Sequence, residues 1–231
     1  MKINKKLIQE WQLSLCPKIE LGGLYSRNPT AHKWKAPYRS IVLRELVFWR
    51  LSDLLLQAVA LAENNHHLGA RILLRSAFET LGILIYLNKK TEAVLTGVEN
   101  FNAFSEITSK LMLGSKDSST EHESVNIITV LKKSDKKYPG LYKLYTTLSE
   151  SAHPNYEGVC SGYSYIDYEK DETIFENRWT ELHASSLEAG ITTCMRIFET
   201  EYDDVWSPNF EKLETWIQEN DEQLEQQKNN I

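Results

Sequence analysis

Apolar residues recur at helical spacing along most of this chain. Between Tyr38 and about Asn64 they fall at Ile41, Leu46, Phe48, Leu51, Leu55, Val59 and Ala62, the three-to-four-residue rhythm of an amphipathic helix. A second long helix is predicted from about His67 to Asn88, and a third over 91–113 with Val94, Leu95, Val98, Phe101, Phe104, Ile107 and Leu111 as its stripe. Shorter helices are expected over 2–14, from Glu121 to Lys133 and from Leu141 to Ala152. Breakers separate them. Residues 21–37 hold Gly22-Gly23, Asn28-Pro29 and Ala36-Pro37 and read as a loop, 114–120 is a polar loop, and Tyr138-Pro139-Gly140 is a turn. The rhythm changes over 161–176, where Tyr163, Tyr165 and Tyr168 precede a polar turn and Thr173-Ile174-Phe175 follow it, the pattern of a small β-hairpin. A helix over 177–204 comes next. Ser207-Pro208 then reads as an N-cap and first helical position for a last helix that decays into the stretch DEQLEQQKNN, polar on all sides. The expected fold is mainly α, a single helical bundle with a hairpin insertion. In one domain over 1–231, an N-terminal helix and loop (1–37) precede a core bundle (38–160), the hairpin (161–176) and C-terminal helices (177–231).

Composition adds boundaries rather than an identity. The chain of 231 residues is 42% hydrophobic and 25% charged, ordinary for a globular protein and long enough for a sizeable core. A formal net charge of -6 excludes a globally basic nucleic-acid footprint but leaves a local basic cleft open. Cys16, Cys160 and Cys194 are odd in number and fit no metal spacing, as expected of reduced thiols. The first residues lack the apolar run of a signal peptide, and the run Leu81–Leu87 is too short to span a bilayer. The expectation is a cytoplasmic protein with no membrane contact, metal or cofactor.

One helix carries charge where it should be apolar. Residues 68–87, LGARILLRSAFETLGILIYL, are hydrophobic most of the way round and predict a central helix. Yet Arg71, Arg75 and Glu79, four apart, fall within about 80° of each other on one face. An unpaired buried charge costs several kcal/mol, so this stripe faces solvent, pairs internally or lines a cleft. Arg75 and Glu79 can pair at i, i+4, in the weaker orientation. Arg71 then needs another partner, and the preceding helix offers Arg44, Glu45, Arg50 and Asp53 to a wider network.

A second feature is the stretch LSESAHPNYEGV, residues 148–159. Pro154 forces His153 out of the α region, so the helix stops there. A histidine at a helix C-terminus has its charged form favoured by the dipole, and near neutrality it is a competent acid or base. Asn155 tolerates unusual backbone angles and Gly158 gives a further turn. The plain alternative is a helix stop with an incidental histidine.

The segments GARILLRSAFETLGILIYL and YKLYTTLSESAHPNYEG together resemble a family of uncharacterised helical bacterial proteins with an Arg-x3-Arg-x3-Glu helix and a Leu-Ser-x3-His-Pro helix end. That layout is distantly similar to the HEPN superfamily. The resemblance implies a helical bundle, commonly dimeric, and a metal-independent RNase of toxin or phage-defence systems. In that reading His153 is the acid or base, Arg75 and Arg71 hold the phosphate, and Glu79 orients an arginine or His153. Ser149, Asn155 and Tyr156 complete the pocket. RNA would be the substrate, and a regulatory protein a further partner. The pattern departs in one place, since no Arg lies within six residues upstream of His153. The rival is a non-catalytic helical binding or dimerisation module in which Arg71, Arg75, Glu79 and His153 form a structural polar network.

Other candidates carry less. Vicinal His66-His67 diverge on a helix, Glu121-His122-Glu123 lacks zinc-helix spacing, and His183 reads as a packed or surface residue. The hairpin tyrosines can stack on bases or pack the hairpin onto the bundle. Lys132, Lys133, Lys136 and Lys137 form the densest basic patch, read as a solvated face or a phosphate contact.

Overall fold

The computed structural model describes residues 2–228. Among them are ten α-helices and one two-stranded hairpin, the mainly α fold that the apolar rhythm predicts. The long helices are α4 (Lys35–Glu63) and α5 (His67–Leu95). Pro37 lies in the first turn of α4, where its missing N–H costs nothing. The turn between them is closed by Asn65 at φ 62, a left-handed conformation that asparagine tolerates.

Several boundaries differ from the sequence-based expectation. Residues 21–37 are not a loop: they hold α2 (Leu21–Arg27) and α3 (Pro29–His32), followed by the start of α4. Asn28-Pro29, a turn signal in isolation, acts as an N-cap and first helical residue, with the Asn28 side chain accepting from Ala31 N at 3.0 Å. The helix expected over 91–113 is divided. Its first residues belong to α5, the chain turns at Gly97 with φ +72, and α6 (Phe101–Leu113) starts on an Asn100 cap. Helix α7 (Ile127–Asp135) starts later than expected, because Asn126 accepts from both Ile128 N and Thr129 N. At the C-terminal end, α9 (Trp179–Glu199) continues through the π-helical turns of Thr200–Trp206 into α10 (Ser207–Lys228). Ser207 is therefore no cap: its backbone is helical, at φ -58 and ψ -54. Pro208 has no N–H to offer a carbonyl one turn back, and the chain answers by widening that turn instead of stopping.

The hairpin forms as expected. Strand β1 (Ser164–Asp167) pairs antiparallel with β2 (Glu172–Phe175), Tyr165 opposite Ile174. Asp167 Oδ1 accepts from Glu169 N at 3.0 Å and so sets the turn, and Asp171 takes φ 55.

The chain divides into two compact units, each made of separate stretches. One comprises Met1–Leu15, Trp49–Leu81 and Leu131–Ile197, and includes α1 (Lys2–Leu13), α8 (Leu141–Ala152) and the hairpin. Its core holds Leu55, Leu74, Phe78, Trp179, Leu187 and Ile191. The other comprises Cys16–Phe48, Gly82–Val130 and Phe198–Ile231. There the core is aromatic, with Phe101, Phe104, Phe198 and Phe210 buried. Several of its buried polar side chains pair with residues distant in sequence. His32 Nε2 lies 2.7 Å from Glu214, whose other oxygen accepts from Arg27, and Asn88 donates to Glu201 at 2.7 Å. The Arg44 guanidinium sits 3.4 Å from the centre of the Tyr202 ring while pairing with Glu45 at 2.6 Å.

Gly162 ties the hairpin to the first unit's core. A Cβ there would lie 2.6 Å from the ring carbons of Trp179, which is fully buried and has nowhere to go. Gly162→Ala is expected to cost about 1–3 kcal/mol, the usual range for overpacking, read from urea unfolding.

Candidate functional site

The charged stripe of α5 and the helix end at His153 both lie in the first unit. Arg71 and Arg75 point at α8. Arg71 Nε donates to Ser151 Oγ at 2.7 Å and its Nη2 to the Thr147 carbonyl at 3.2 Å, while Arg75 Nε donates to Ser149 Oγ at 2.9 Å and its Nη2 to Tyr145 Oη at 2.9 Å. As residue numbers rise on α5 they fall on α8, so the two helices run antiparallel. Thr147 with Ser151, and Tyr145 with Ser149, stand one turn apart and present one acceptor pair to each arginine.

Arg71 is only 2% exposed, and its charge is met by Glu157 at 3.2 Å. Ser151 Oγ bridges the pair, accepting from Arg71 and donating to Glu157 Oε1 at 2.7 Å. A longer contact of 3.5 Å reaches Ser186 Oγ. Burial pulls the Arg71 pKa below its ordinary value, and Glu157 acts in the opposite sense. Arg75 is half-buried and pairs with Glu79 at 3.2 Å. Tyr145 closes this second network: its hydroxyl accepts from Arg75 and donates to Glu79 at 2.9 Å. The weaker i, i+4 orientation is thus compensated by a third member. Helix α4 supplies neither partner: Arg50 donates to Thr80, and Glu45 pairs with Arg44 in the other unit.

The structure answers why α8 stops at His-Pro-Asn. His153 is extended at φ -100 and ψ 145, as the following proline requires. Asn155 N donates back to the His153 carbonyl at 2.8 Å. Asn155 Oδ1 then caps the π-helical turn Tyr156–Ser161 by accepting from Gly158 N at 3.0 Å. The reversal is so tight that a Cβ on residue 158 would lie 2.0 Å from the His153 carbonyl oxygen. Its product is the return of Glu157 to Arg71. The imidazole of His153 is exposed and has no hydrogen-bond or ion-pair partner among the described residues. No hydrogen bond or ion pair joins it to Arg71, Arg75 or Glu79. Tyr156 also points outward, 77% exposed. Of the residues singled out in the sequence, Arg71, Arg75, Glu79 and Ser149 take part in the paired networks; His153, Asn155 and Tyr156 belong to the loop.

Two participants escaped sequence reasoning. Glu157 carried no signal beyond its place in the stretch after Pro154. His183 of α9, which the sequence marks only as a packed or surface residue, borders the buried pair. Its Nε2 is 3.9 Å from Glu157 Oε1, buried and without a hydrogen bond, and its ring lies against Trp179 at 5.1 Å. Burial depresses the His183 pKa below 6.5, and the Arg71 charge adds to this. His67 lies nearby in the same unit, 3.0 Å from Thr180 Oγ1.

No known protein family, curated protein or solved structure matches the chain. Among the described residues, no group of three or more His, Cys, Asp or Glu is placed to hold a metal ion. No described helix is long and apolar enough to cross a membrane.

Two measurements follow from this geometry. Arg71→Met leaves Glu157 without its cation, and is expected to lower stability by about 3 kcal/mol, the low end for a broken buried pair because Glu157 is partly exposed. Adding Glu157→Gln should return part of that loss in a double-mutant cycle by urea unfolding. For His183 the folded pKa is depressed, so below pH 6.5 the unfolded chain takes up a proton that the folded chain resists. Stability is therefore full above that value and declines as the pH falls through it. His183→Gln is expected to flatten this part of the profile in melting curves collected across pH 7 to 5 (about the range in which a histidine titrates).

Proposed function

We propose that the chain is a non-catalytic helical binding and assembly module of the cytoplasm, in which the two arginine networks serve the fold. The observation that carries this reading is the occupancy of Arg71. Its Nε and both terminal nitrogens already donate to protein acceptors, and its charge is met by a carboxylate. A phosphate bound through a guanidinium needs an open fork, and here it would have to displace Glu157 and Ser151. Arg75 has Nε and one terminal nitrogen engaged in the same way. The partners of such a module are a second copy of the chain or a regulatory protein.

A second reading rests on His153. Its ring is exposed at a helix end, which suits a general base, and it keeps open the HEPN-like metal-independent RNase acting as a toxin or defence effector. In that chemistry His153 would take the proton of a ribose 2′-hydroxyl. The adjacent phosphorus would be attacked, the 5′-oxygen would leave with a proton from an acid, and a 2′,3′-cyclic phosphate would remain.

RNA incubated with the purified full-length protein in EDTA separates the two. The module reading expects no cleavage, or cleavage unchanged by His153→Ala. Cleavage that disappears in a His153→Ala protein with an unaltered melting temperature overturns it in favour of the nuclease.

A further inference from the structure

Two surfaces of the first unit are opposite in charge. The first is the hairpin. Residues 167–176, DYEKDETIFE, hold five acids and one lysine, a net of -4. Lys170 is taken by Asp167 at 3.3 Å, which leaves Glu169, Asp171 and Glu172 exposed and without a basic partner among the described residues. Apolar side chains stand out between them: Tyr168 at the turn is 82% exposed, Phe175 80% and Ile166 53%. The hairpin is a sheet of only two strands. Such a ribbon is marginal in water unless something packs on it.

The second surface is the turn from α7 into α8. Residues 132–143, KKSDKKYPGLYK, hold five lysines and one aspartate, a net of +4 within a chain whose net charge is -6. The aspartate, Asp135, is spent on the turn itself, accepting from Gly140 N at 3.0 Å and Tyr142 N at 2.9 Å. Lys132, Lys136 and Lys143 are exposed and have no ion-pair partner among the described residues. The same turn forms one wall of a groove of about 370 Å³, with Phe78, Pro139, Leu144 and Ile197 among its apolar lining and Lys137 on it. A volume in the range of small-ligand pockets, about 300–1,000 Å³, admits one aromatic side chain easily.

We propose that the acidic hairpin of one copy docks on the lysine-flanked groove of a second copy, with Tyr168 entering the groove. This rests on the module reading and names its partner. The charges commit the hairpin to a basic surface: a hairpin-to-hairpin contact would set carboxylates against carboxylates, whereas this one sets a net of -4 against +4. The apolar groove takes the tyrosine ring, and the surrounding lysines meet the carboxylates that flank it. The contact joins different patches of the two copies. Reciprocal docking closes a dimer, and one-way docking propagates.

Sedimentation velocity on the full chain over a wide concentration range tests this. The wild type is expected to self-associate, and the larger species to dissociate as salt rises, because exposed charges are screened beyond about 8 Å at physiological ionic strength. Lys132→Glu with Lys136→Glu makes one variant, and Glu169→Lys with Asp171→Lys the other. Each is expected to be monomeric with an unchanged melting temperature, while a mixture of the two restores the larger species. Tyr168→Ala is expected to weaken association without altering its salt dependence. A wild type that is monomeric throughout, or association indifferent to salt and to either reversal, overturns the contact. The RNA experiment is untouched by that result, so the docking contact and the module reading fail separately.

Discussion

The first unit is organised around the burial of one guanidinium. Arg71 is almost wholly removed from water on a helix that is apolar most of the way round, which is tolerable only if its charge and its N–H groups are met. Helix α8 supplies a hydroxyl and a carbonyl one turn apart. The carboxylate comes from beyond the end of that helix. The chain must therefore leave α8, reverse within a few residues and bring Glu157 back beneath Arg71. Pro154, Asn155 and Gly158 each perform one part of that reversal: the stop, the cap and the close approach. The motif that looked most like a site is, in this respect, the hinge of an ion pair.

The same constraint orders the surroundings. Ser151 serves as acceptor to Arg71 and donor to Glu157, so a single hydroxyl couples helix and loop. Burial and the neighbouring Arg71 cation lower the His183 pKa, while Glu157 pulls the other way. Arg75, one turn along α5, repeats the arrangement in a wetter setting, with Tyr145 in the bridging role that Ser151 plays for Arg71. Two charged turns of one helix thus pin the same partner helix at two depths. The arrangement specifies which residues of α5 and α8 face each other more sharply than apolar contact alone would.

Charge that is internal in this pair is external elsewhere in the unit. Lys132, Lys136 and Lys143 around the α7–α8 turn, and Glu169, Asp171 and Glu172 of the hairpin, have no ion-pair partner among the described residues, and both regions expose aromatic or apolar surface beside them. Structural pairs are closed by hydroxyls and buried, while these charges stand open around apolar features. This contrast separates charges that serve the fold from charges available to another molecule.

The apolar rhythm by itself determined the long helices, because burial of one stripe dictates a 3.6-residue period. The tyrosines, the polar turn and Thr173-Ile174-Phe175 likewise determined the hairpin, through local turn chemistry. Boundaries were less legible: Asn28-Pro29 and Ser207-Pro208 use the same residue types, yet the first starts a helix and the second lies inside one. The spacing of Arg71, Arg75 and Glu79 showed that a charged stripe needed an explanation. It left solvent, network and cleft equally open, since the partners from outside the helix lie 66 to 115 residues away in sequence. Only the tertiary structure decided that Ser149, Ser151, Tyr145 and Glu157 meet those arginines while His153, the most conspicuous residue of its motif, faces water. Local propensity acts over a few residues, whereas the pairing of buried charges is settled by which helices pack together.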